Sequence, residues 1–207
     1  AARIDSFDGF NGGSTTGMTL ASGATINLSS ASEITEMLSD ESAGRLTITD
    51  QNLTVDSGTI SVANANLLAA TTTGTITASI ATTEPVDGLK TLYDTGETNA
   101  YTITITSDAA DTELSTAAEF NAINNATSVA VNATSLTALA SSNISDIKTL
   151  LTAGNDTNQF TATSFGSLAT VAVADSTLDV SDLNDSIAQA NTATGATSTS
   201  FTISSGG

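Results

Sequence analysis

The sequence contains no histidine, no cysteine and no tryptophan, and it has a single proline. Without histidine or cysteine the chain cannot provide an imidazole base, a thiolate nucleophile, a cysteine–histidine zinc site, an iron–sulfur cluster or a disulfide. These groups carry much of the catalytic chemistry that enzymes perform near neutral pH. The composition therefore favours a protein that is not an enzyme.

Basic residues are also scarce. The chain has four of them, Arg3, Arg45, Lys90 and Lys148, against 22 acidic residues, so its formal net charge is −18. Such a surface repels phosphate backbones, and four cations cannot form a basic patch. We therefore expect no nucleic-acid partner. No stretch of the sequence approaches 18 consecutive apolar residues, so we also expect no membrane insertion.

Small residues dominate what is present: 27 Ser, 39 Thr and 32 Ala occupy 98 of the 207 positions. High net charge with few aromatic residues is typical of disordered chains. The apolar residues nevertheless recur in short alternating runs rich in β-branched residues, as they do in half-buried strands. These runs are 46–50, 75–80, 101–106, 128–132, 160–163, 171–173 and 201–204. The alternation predicts a folded chain.

Between the strand patterns, apolar residues recur every three or four positions, as on one face of a short helix. The stripes are Ile34/Met37/Leu38, Val86/Leu89/Leu92, Phe120/Ile123, Ile144/Ile147/Leu151 and Val180/Leu183/Ile187. Ser30 with Glu33 has the spacing of a capping box, and Asn143 and Asp179 are favourable N-caps. Residues suited to ending a helix precede the next strand pattern at Gly44, Gly74, Gly96, Asn125, Gly154 and Gly195.

The order helix, Gly or Asn, strand recurs along the chain. With Ile48, Ile76, Ile103, Val129 and Phe160 as equivalent positions, the spacings are 28, 27, 26 and 31 residues. We therefore predict a β-rich fold with short helices, built as a solenoid-like stack of strand–helix units of about 27 residues. The same alternation permits a compact α/β domain, and the close runs 46–50, 53–56 and 59–63 permit a β-sandwich.

Two segments carry a resemblance to known proteins. TISVANANLLAATTTGTITASI (59–80) and YTITITSDAADTELSTAAEFNAINNATSVAVNAT (101–134) resemble the tandem Thr/Ala/Asp-rich repeats of large secreted bacterial cell-surface proteins of the cyanobacterial type. The likeness covers residues 45–205 and rests on composition and cadence. It implies a secreted protein of a surface layer, fibre or adhesive stalk, often with bound calcium. Phage fibre and decoration proteins carry similar repeats.

Calcium is the one ligand for which the residues give a physical motive, because Ca²⁺ binds six to eight hard oxygen atoms. Asp175, Asp179, Asp182 and Asp185 form the densest local set of carboxylates, and we predict a Ca²⁺ site there. No EF-hand loop or glycine-rich nonapeptide accompanies them. The alternative is that these carboxylates cap helices and keep the protein soluble.

Two patterns could indicate catalysis. Ser145-Asp-Ile-Lys148 matches S-x-x-K, in which a lysine one helical turn away could activate a serine. The companion S-D-N and K-T-G elements are absent, and a capped helix start produces the same letters. Carboxylate pairs such as Glu33 with Glu36 could serve glycoside hydrolysis, but few aromatic residues are present to line a sugar site. A carbohydrate-active enzyme therefore ranks third.

The chain ends predict self-association. A stack of repeats leaves an unpaired face at each end unless a cap covers it. We expect residues 1–17 to form a flexible N-terminal arm and residues 18–207 a single repeat domain. The predicted assembly contacts lie in the arm and in the last strand: Ile4, Phe7, Phe10, Phe201 and Ile203. Copies of the chain would then join head to tail into a filament or surface layer.

These features together predict a non-enzymatic structural or adhesive subunit. An extracellular or cell-surface location suits a chain with few sites for trypsin-like proteases and no cysteine to oxidise. The main alternatives are a phage fibre or decoration protein and an ice- or surface-binding protein with a flat array of threonines. The threonines in question are Thr47/Thr49, Thr75/Thr77, Thr102/Thr104/Thr106 and Thr161/Thr163.

Overall fold

A computed structural model describes residues 2–3, 17–93, 99–106, 115–162, 164–165, 168, 170–175, 177, 179–194 and 200–203. Its strands are β1 (Ala2–Arg3), β2 (Met18–Thr19), β3 (Thr25–Leu28), β4 (Leu46–Thr47), β5 (Asn52–Val55), β6 (Ile76–Ser79), β7 (Ala100–Thr102), β8 (Ala138–Ser142), β9 (Thr170–Val173) and β10 (Ser200–Ile203). Its helices are α1 (Ala31–Ser42), α2 (Val62–Thr71), α3 (Val86–Leu89), α4 (Ala117–Asn125), α5 (Ile144–Gly154) and α6 (Val180–Thr194). The protein is thus mixed α/β, and this order is consistent with a compact α/β domain.

The strand pairing in the described ranges is parallel throughout. One sheet has the order β1-β3-β5-β6-β7, a second has the order β10-β9-β8, and β2 pairs with β4. Parallel neighbours need a crossover connection between them, and the helices supply most of these connections. Isolated parallel bridges add the pairs Ile60 with Ile80, Thr104 with Asn132 and Val131 with Phe160.

The predicted alternation of apolar and polar residues is confirmed in the five-stranded sheet. Ile26 pairs with Leu53, Leu53 pairs with Ile76, and all three side chains are buried. The predicted register was wrong here, because Leu53 and not Ile48 lies opposite Ile76. Both residues end up buried, so the apolar pattern alone could not distinguish between the two alignments.

The segments 46–50, 53–56 and 59–63 do not form the antiparallel meander that would indicate a β-sandwich. Strand β4 pairs with β2 and β5 pairs with β3 and β6, each in parallel. The strand expected at 59–63 is reduced to the bridge at Ile60, because α2 begins at Val62. Ser61 stabilises this helix start, since its hydroxyl accepts a hydrogen bond from Asn64 N at 3.2 Å.

The predicted helical stripes lie against the core. Ile34 and Met37 of α1, Phe120 of α4 and Ile147 of α5 are each at most 1% exposed. Helix α2 had no predicted stripe, because its sequence VANANLLAAT is apolar or small on nearly every side and contains no charge. Only its position between strands shows which side of it is buried.

Helix capping differs from the prediction at two points, Ser30 and Asn143, and the side chain of Asn143, the N-cap residue of α5, makes no capping hydrogen bond. Ser30 is the N-cap residue of α1, but its side chain makes no capping hydrogen bond. The complete capping box is at α4, where Thr116 N donates to Glu119 Oε2 at 2.7 Å and Glu119 N donates to Thr116 Oγ1 at 3.4 Å. The Thr-x-x-Glu spacing therefore has its expected effect at a position other than Ser30 and Glu33.

Two glycines follow helices for different reasons. Gly44 has φ +68°, the left-handed conformation that was expected of a residue after a helix. Gly74 is not in that region, and a Cβ there would lie 2.4 Å from Gln51 O. Its lack of a side chain allows two chain segments to approach closely. Two other predicted helix ends, Gly96 and Gly195, lie outside the described residues.

Buried hydroxyl groups complete the parallel pairing where strands are interrupted. Tyr101 N donates to Thr127 Oγ1 at 2.9 Å, and that hydroxyl donates to Tyr101 O at 2.8 Å. Ser164 repeats the device, since its Oγ accepts from Ala133 N and donates to Val131 O. A single hydroxyl thus bonds both a backbone N–H and a backbone C=O, although Val131 O also accepts from Thr161 N.

Candidate functional site

The four carboxylates predicted to bind calcium are divided between two structural tasks. Asp175 Oδ2 accepts a hydrogen bond of 2.6 Å from Ile144 N at the start of α5. Asp179 accepts from the hydroxyl and the backbone N–H of Ser181 at the start of α6, and these hydrogen bonds lower the pKa of Asp179. Both carboxylates therefore act as caps of helix N-termini, as the alternative interpretation expected.

The other two carboxylates pair with a lysine on the neighbouring helix. Lys148 Nζ of α5 lies 3.1 Å from Asp182 Oδ1 and 3.0 Å from Asp185 Oδ2, both on α6. Hydrogen bonds from Lys148 to Asp185 and Asp182 raise the pKa of the lysine. All three side chains are well exposed, so the pairing orients the two helices more than it stabilises them.

Within the described residues, no group of three or more acidic side chains is placed to hold a metal ion. Two of the four predicted oxygen ligands face an ammonium group, so a cation at Asp182 and Asp185 would have to displace Lys148. The Ca²⁺ site at Asp175, Asp179, Asp182 and Asp185 remains a prediction.

A polar groove of about 520 Å³ runs along α4 and α5 beside this lysine. Its lining is rich in amides and hydroxyls and comprises Asn121, Asn124, Asn125, Ser145, Lys148, Thr149, Thr152, Ala153, Gln159 and Asp182. Asn121 Nδ2 donates to Asp146 O at 3.0 Å, which links α4 to α5. The described lining residues offer hydrogen-bonding groups and include no aromatic ring.

The S-x-x-K pair lies in this groove, since Ser145 and Lys148 both line it. A Ser–Lys mechanism needs a neutral amine to accept the serine proton. Lys148 has the opposite electrostatic environment, because Asp185 and Asp182 raise its pKa and keep it protonated. In this protonation state the pair offers hydrogen bonds from an ammonium and a hydroxyl.

A second lysine forms a similar ion pair between α3 and α4, which no sequence pattern predicted. Lys90 Nζ, at the end of α3, lies 2.6 Å from Glu119 Oε1 of α4 and also pairs with Asp87. Burial, the largest single influence, raises the pKa of Glu119, but hydrogen bonds from Lys90 and Thr116 together hold it below its usual value. Lys90 and Glu119 are 29 residues apart, so no local pattern could have paired them.

Two of the five predicted assembly residues lie in the described part of the chain. Phe201 and Ile203 lie in β10, paired in parallel with Val171 and Val173 of β9. Strand β10 is one of the two outer strands of its sheet, and β1 is an outer strand of the five-stranded sheet. Ile4, Phe7 and Phe10 lie outside the described residues, as does most of the predicted arm 1–17. Its residues Ala2–Arg3 form β1 and pair with β3.

Polar residues occupy the outer face of the five-stranded sheet. Thr54 of β5 pairs with Thr77 of β6, and Ser79 of β6 pairs with Thr102 of β7. Thr77 and Thr102 are exposed, and Thr54 is half-buried. None of these pairs joins two of the predicted threonines, because Thr77 lies between Thr54 and Ala100, and Thr102 lies opposite Ser79. Thr163 lies outside the described residues.

None of the helices in the described part of the chain has both the length and the apolar content needed to cross a bilayer.

Comparisons with family models, with curated proteins and with solved structures give no match. The resemblance of residues 45–205 to secreted bacterial repeat proteins therefore remains a prediction from composition and cadence.

Proposed function

We propose that this chain is a non-enzymatic structural or adhesive subunit that assembles head to tail into an extracellular filament or surface layer. In the proposal the strand–helix units stack as a solenoid, and copies continue the stack. Parallel pairing of β3, β5, β6 and β7 in chain order supports this arrangement. Consecutive packing of α4, α5 and α6 supports it further.

The observation that carries the proposal is the position of the first and last strands. Strand β1 pairs with β3 alone and β10 pairs with β9 alone, so each has one edge without a strand partner in the described residues. An open edge is a template for a strand of another chain. If β10 of one copy pairs with β1 of the next, the contact joins two different surfaces, and such contacts extend without closing.

Net charge sets the conditions under which such an assembly forms. At a formal charge of −18 the copies repel one another at long range. Salt shortens the range of this repulsion, so assembly should increase with ionic strength. An adhesive or structural layer that forms in a saline medium would have the ionic strength that this assembly needs.

The test is assembly of the purified full chain, followed by sedimentation velocity and negative-stain imaging at low and high concentration. Two proline variants, Phe201→Pro and Thr202→Pro, test the role of β10 in assembly. Successive N–H groups of a strand point to opposite edges. One proline therefore removes a backbone hydrogen bond to β9, and the other removes an N–H from the open edge of β10.

We expect filaments or lattices of the unmodified chain, and we expect one proline variant that keeps its melting temperature but no longer assembles. A chain that stays monomeric at every concentration and salt level contradicts the proposal. So does assembly that neither proline variant reduces.

A second candidate is supported by the aligned threonines of β5 and β6, Thr54 and Thr77. Hydroxyl and methyl groups at the strand spacing of about 4.8 Å could bind an ordered surface such as ice. Thermal hysteresis and ice-crystal shaping measure this directly. Thr77→Lys should abolish the effect and Thr192→Lys, on α6, should not. Absence of hysteresis in the unmodified chain removes this candidate.

A further inference from the structure

The two tyrosines of the chain lie in opposite environments. Tyr101 is fully buried in the core, whereas the side chain of Tyr93 is 55% exposed just after α3. Large aromatic side chains are usually buried, because burying them removes much apolar surface from water. A single exposed ring is ordinary on a protein surface, so its surroundings decide whether a ligand could cover it.

Tyr93 borders a groove of about 410 Å³, which we name the Tyr93 groove. Residues 69–73, at the end of α2 and in the turn that follows it, form one side, and Thr49 completes the lining. The volume falls within the range of roughly 300–1,000 Å³ that is usual for small-molecule sites. The lining combines a ring, methyl groups and hydroxyls.

The ring is attached to a backbone that is held in place. Tyr93 N donates to Asn66 Oδ1 at 2.8 Å, and Asn66 Nδ2 donates to Thr91 O at 2.9 Å. One asparagine on α2 thus fixes the chain on both sides of residue 92. A site that is ordered before the ligand arrives loses less entropy on binding.

The hydroxyls of the groove are oriented by the backbone. Thr73 Oγ1 donates to Thr49 O at 3.2 Å, and Thr71 Oγ1 donates to Leu67 O at 2.8 Å. A hydroxyl that already donates its proton keeps lone pairs to accept a hydrogen bond. Both side chains therefore present acceptors to a ligand that carries O–H groups.

The described part of the groove lining carries no charge in a strongly acidic protein. Among the described residues the lining includes no charged side chain, and neither does α2. The charge of −18 disfavours an anionic ligand, and the described lining residues include no carboxylate to bind a cationic one. The occupant that fits is uncharged, with an apolar face for the ring and hydroxyls at its rim.

We propose that the Tyr93 groove binds a neutral pyranose unit of a glycan. The apolar C–H face of the sugar stacks on Tyr93, and its hydroxyls donate to the threonines. Asn66 is a positioning residue, because it acts through the backbone of Tyr93. This inference does not depend on head-to-tail assembly.

The experiment uses the full chain and a panel of uncharged polysaccharides. Cellulose and chitin are tested by sedimentation of the bound protein, and dextran, starch and galactomannan by affinity electrophoresis. The variants are Tyr93→Ala, which removes the ring, and Tyr93→Phe, which keeps it. Leu67→Ala is the matched control, since Leu67 is an apolar residue on α2, 52% exposed, that does not line the groove.

We expect binding to at least one member of the panel. Tyr93→Ala should weaken it about tenfold or more, while Tyr93→Phe and Leu67→Ala should keep it within about twofold. Thr73→Val, which replaces the hydroxyl with a methyl, should weaken it by an intermediate factor of about three.

No binding to any member of the panel overturns the inference, and so does binding that Tyr93→Ala leaves unchanged. Alginate and heparin are tested in parallel as charged polysaccharides, and binding confined to them also overturns it, because the described lining residues include no charged group. The proline variants of β10 separate the two proposals, since we expect them to bind the polysaccharide even when they do not assemble.

Discussion

The two regions of the molecule are held together in different ways. In the described residues of 17–106, strands β3, β5, β6 and β7 join consecutive units through backbone ladders, and the helices bear little of the contact between units. In the described residues of 115–203, β8, β9 and β10 also form backbone ladders, but here helices α4, α5 and α6 pack on one another in succession as well. Polar side chains cross between these helices, from Asn121 to Asp146 and from Lys148 to Asp182.

The difference follows the places where the ladders are interrupted. Between the two sheets the pairing narrows to the isolated bridges of Asn132 with Thr104 and of Val131 with Phe160. There the hydroxyls of Thr127 and Ser164 take over backbone hydrogen bonds. Where fewer backbone hydrogen bonds join neighbouring strand–helix units, buried hydroxyls, aromatic packing and helix contacts hold these units together.

The largest expected effect concerns aromatic packing in the second region. The rings of Phe160 and Phe165 lie 5.0 Å apart, and Phe165 is 1% exposed. Phe165→Ala should cost about 3–5 kcal/mol of unfolding free energy, because it leaves a cavity. In amide hydrogen exchange the loss of protection should be concentrated in α5.

Leu53→Ala is the matched variant in the first region, where Leu53 of β5 is fully buried. It should cost about 2–5 kcal/mol and reduce protection mainly in β3 and β6. If both variants lower protection equally along the whole chain, the two regions unfold as one unit and the comparison is wrong.

A smaller effect is expected from removing the buried Thr127 hydroxyl, which lies between the two sheets. Thr127→Val keeps the shape of the side chain but leaves the N–H and C=O of Tyr101 without their partner. Denaturant unfolding should show a loss of about 1–3 kcal/mol. The control Thr77→Val, on the exposed face of β6, should stay within about 0.5 kcal/mol. Equal costs for the two variants would mean that the hydroxyl bridge adds nothing.

Alkaline pH tests the buried tyrosine of the first region. Burial raises the pKa of Tyr101 to about 12, and its hydroxyl is buried with no partner among the described residues. The pKa of Tyr101 is higher in the folded state than in the unfolded state. The stability that the protonated Tyr101 side chain contributes is therefore complete below about pH 10 and is lost as the pH rises toward 12.

Tyr101→Phe should therefore be neutral or slightly stabilising at pH 7 and should gain roughly 1 kcal/mol over the unmodified chain by pH 11. The lysines destabilise both proteins as they deprotonate, so the difference between the two curves isolates Tyr101. Parallel curves from pH 8 to pH 11 would show that Tyr101 is not buried.

The smallest expected effect concerns the link between α5 and α6 and the predicted Ca²⁺ site. Lys148→Gln removes the ammonium that faces Asp182 and Asp185. The variant should show a larger increase in melting temperature with Ca²⁺ than the unmodified chain, at an ionic strength matched with sodium chloride. Asp182→Asn in the same background should remove the gain.

Lys90→Gln is the control, because Lys90 holds a comparable ion pair away from the predicted site. If calcium and sodium salts act identically on all of these proteins, the Ca²⁺ prediction is abandoned and the carboxylates keep only their capping and solubility roles.

Much of the local structure could be predicted from the sequence. The stripes Ile34/Met37 and Phe120/Ile123 identified α1 and α4, because the spacing of apolar residues fixes which side of a helix is buried. Asp179 was identified as an N-cap for a similarly local reason. Strand β8 was missed, since its sequence ALASS has neither β-branched residues nor alternation.

The sequence by itself determined the alternation of short strands and helices, the acidic surface and the lack of histidine and cysteine chemistry, since all of these depend on local spacing or composition. Only the tertiary structure decided the partners: that Leu53 and not Ile48 faces Ile76, that Lys148 pairs with Asp182, and that Tyr93 stays exposed. An alternating pattern fits several registers, and partners about 30 residues apart are selected only when the whole chain packs.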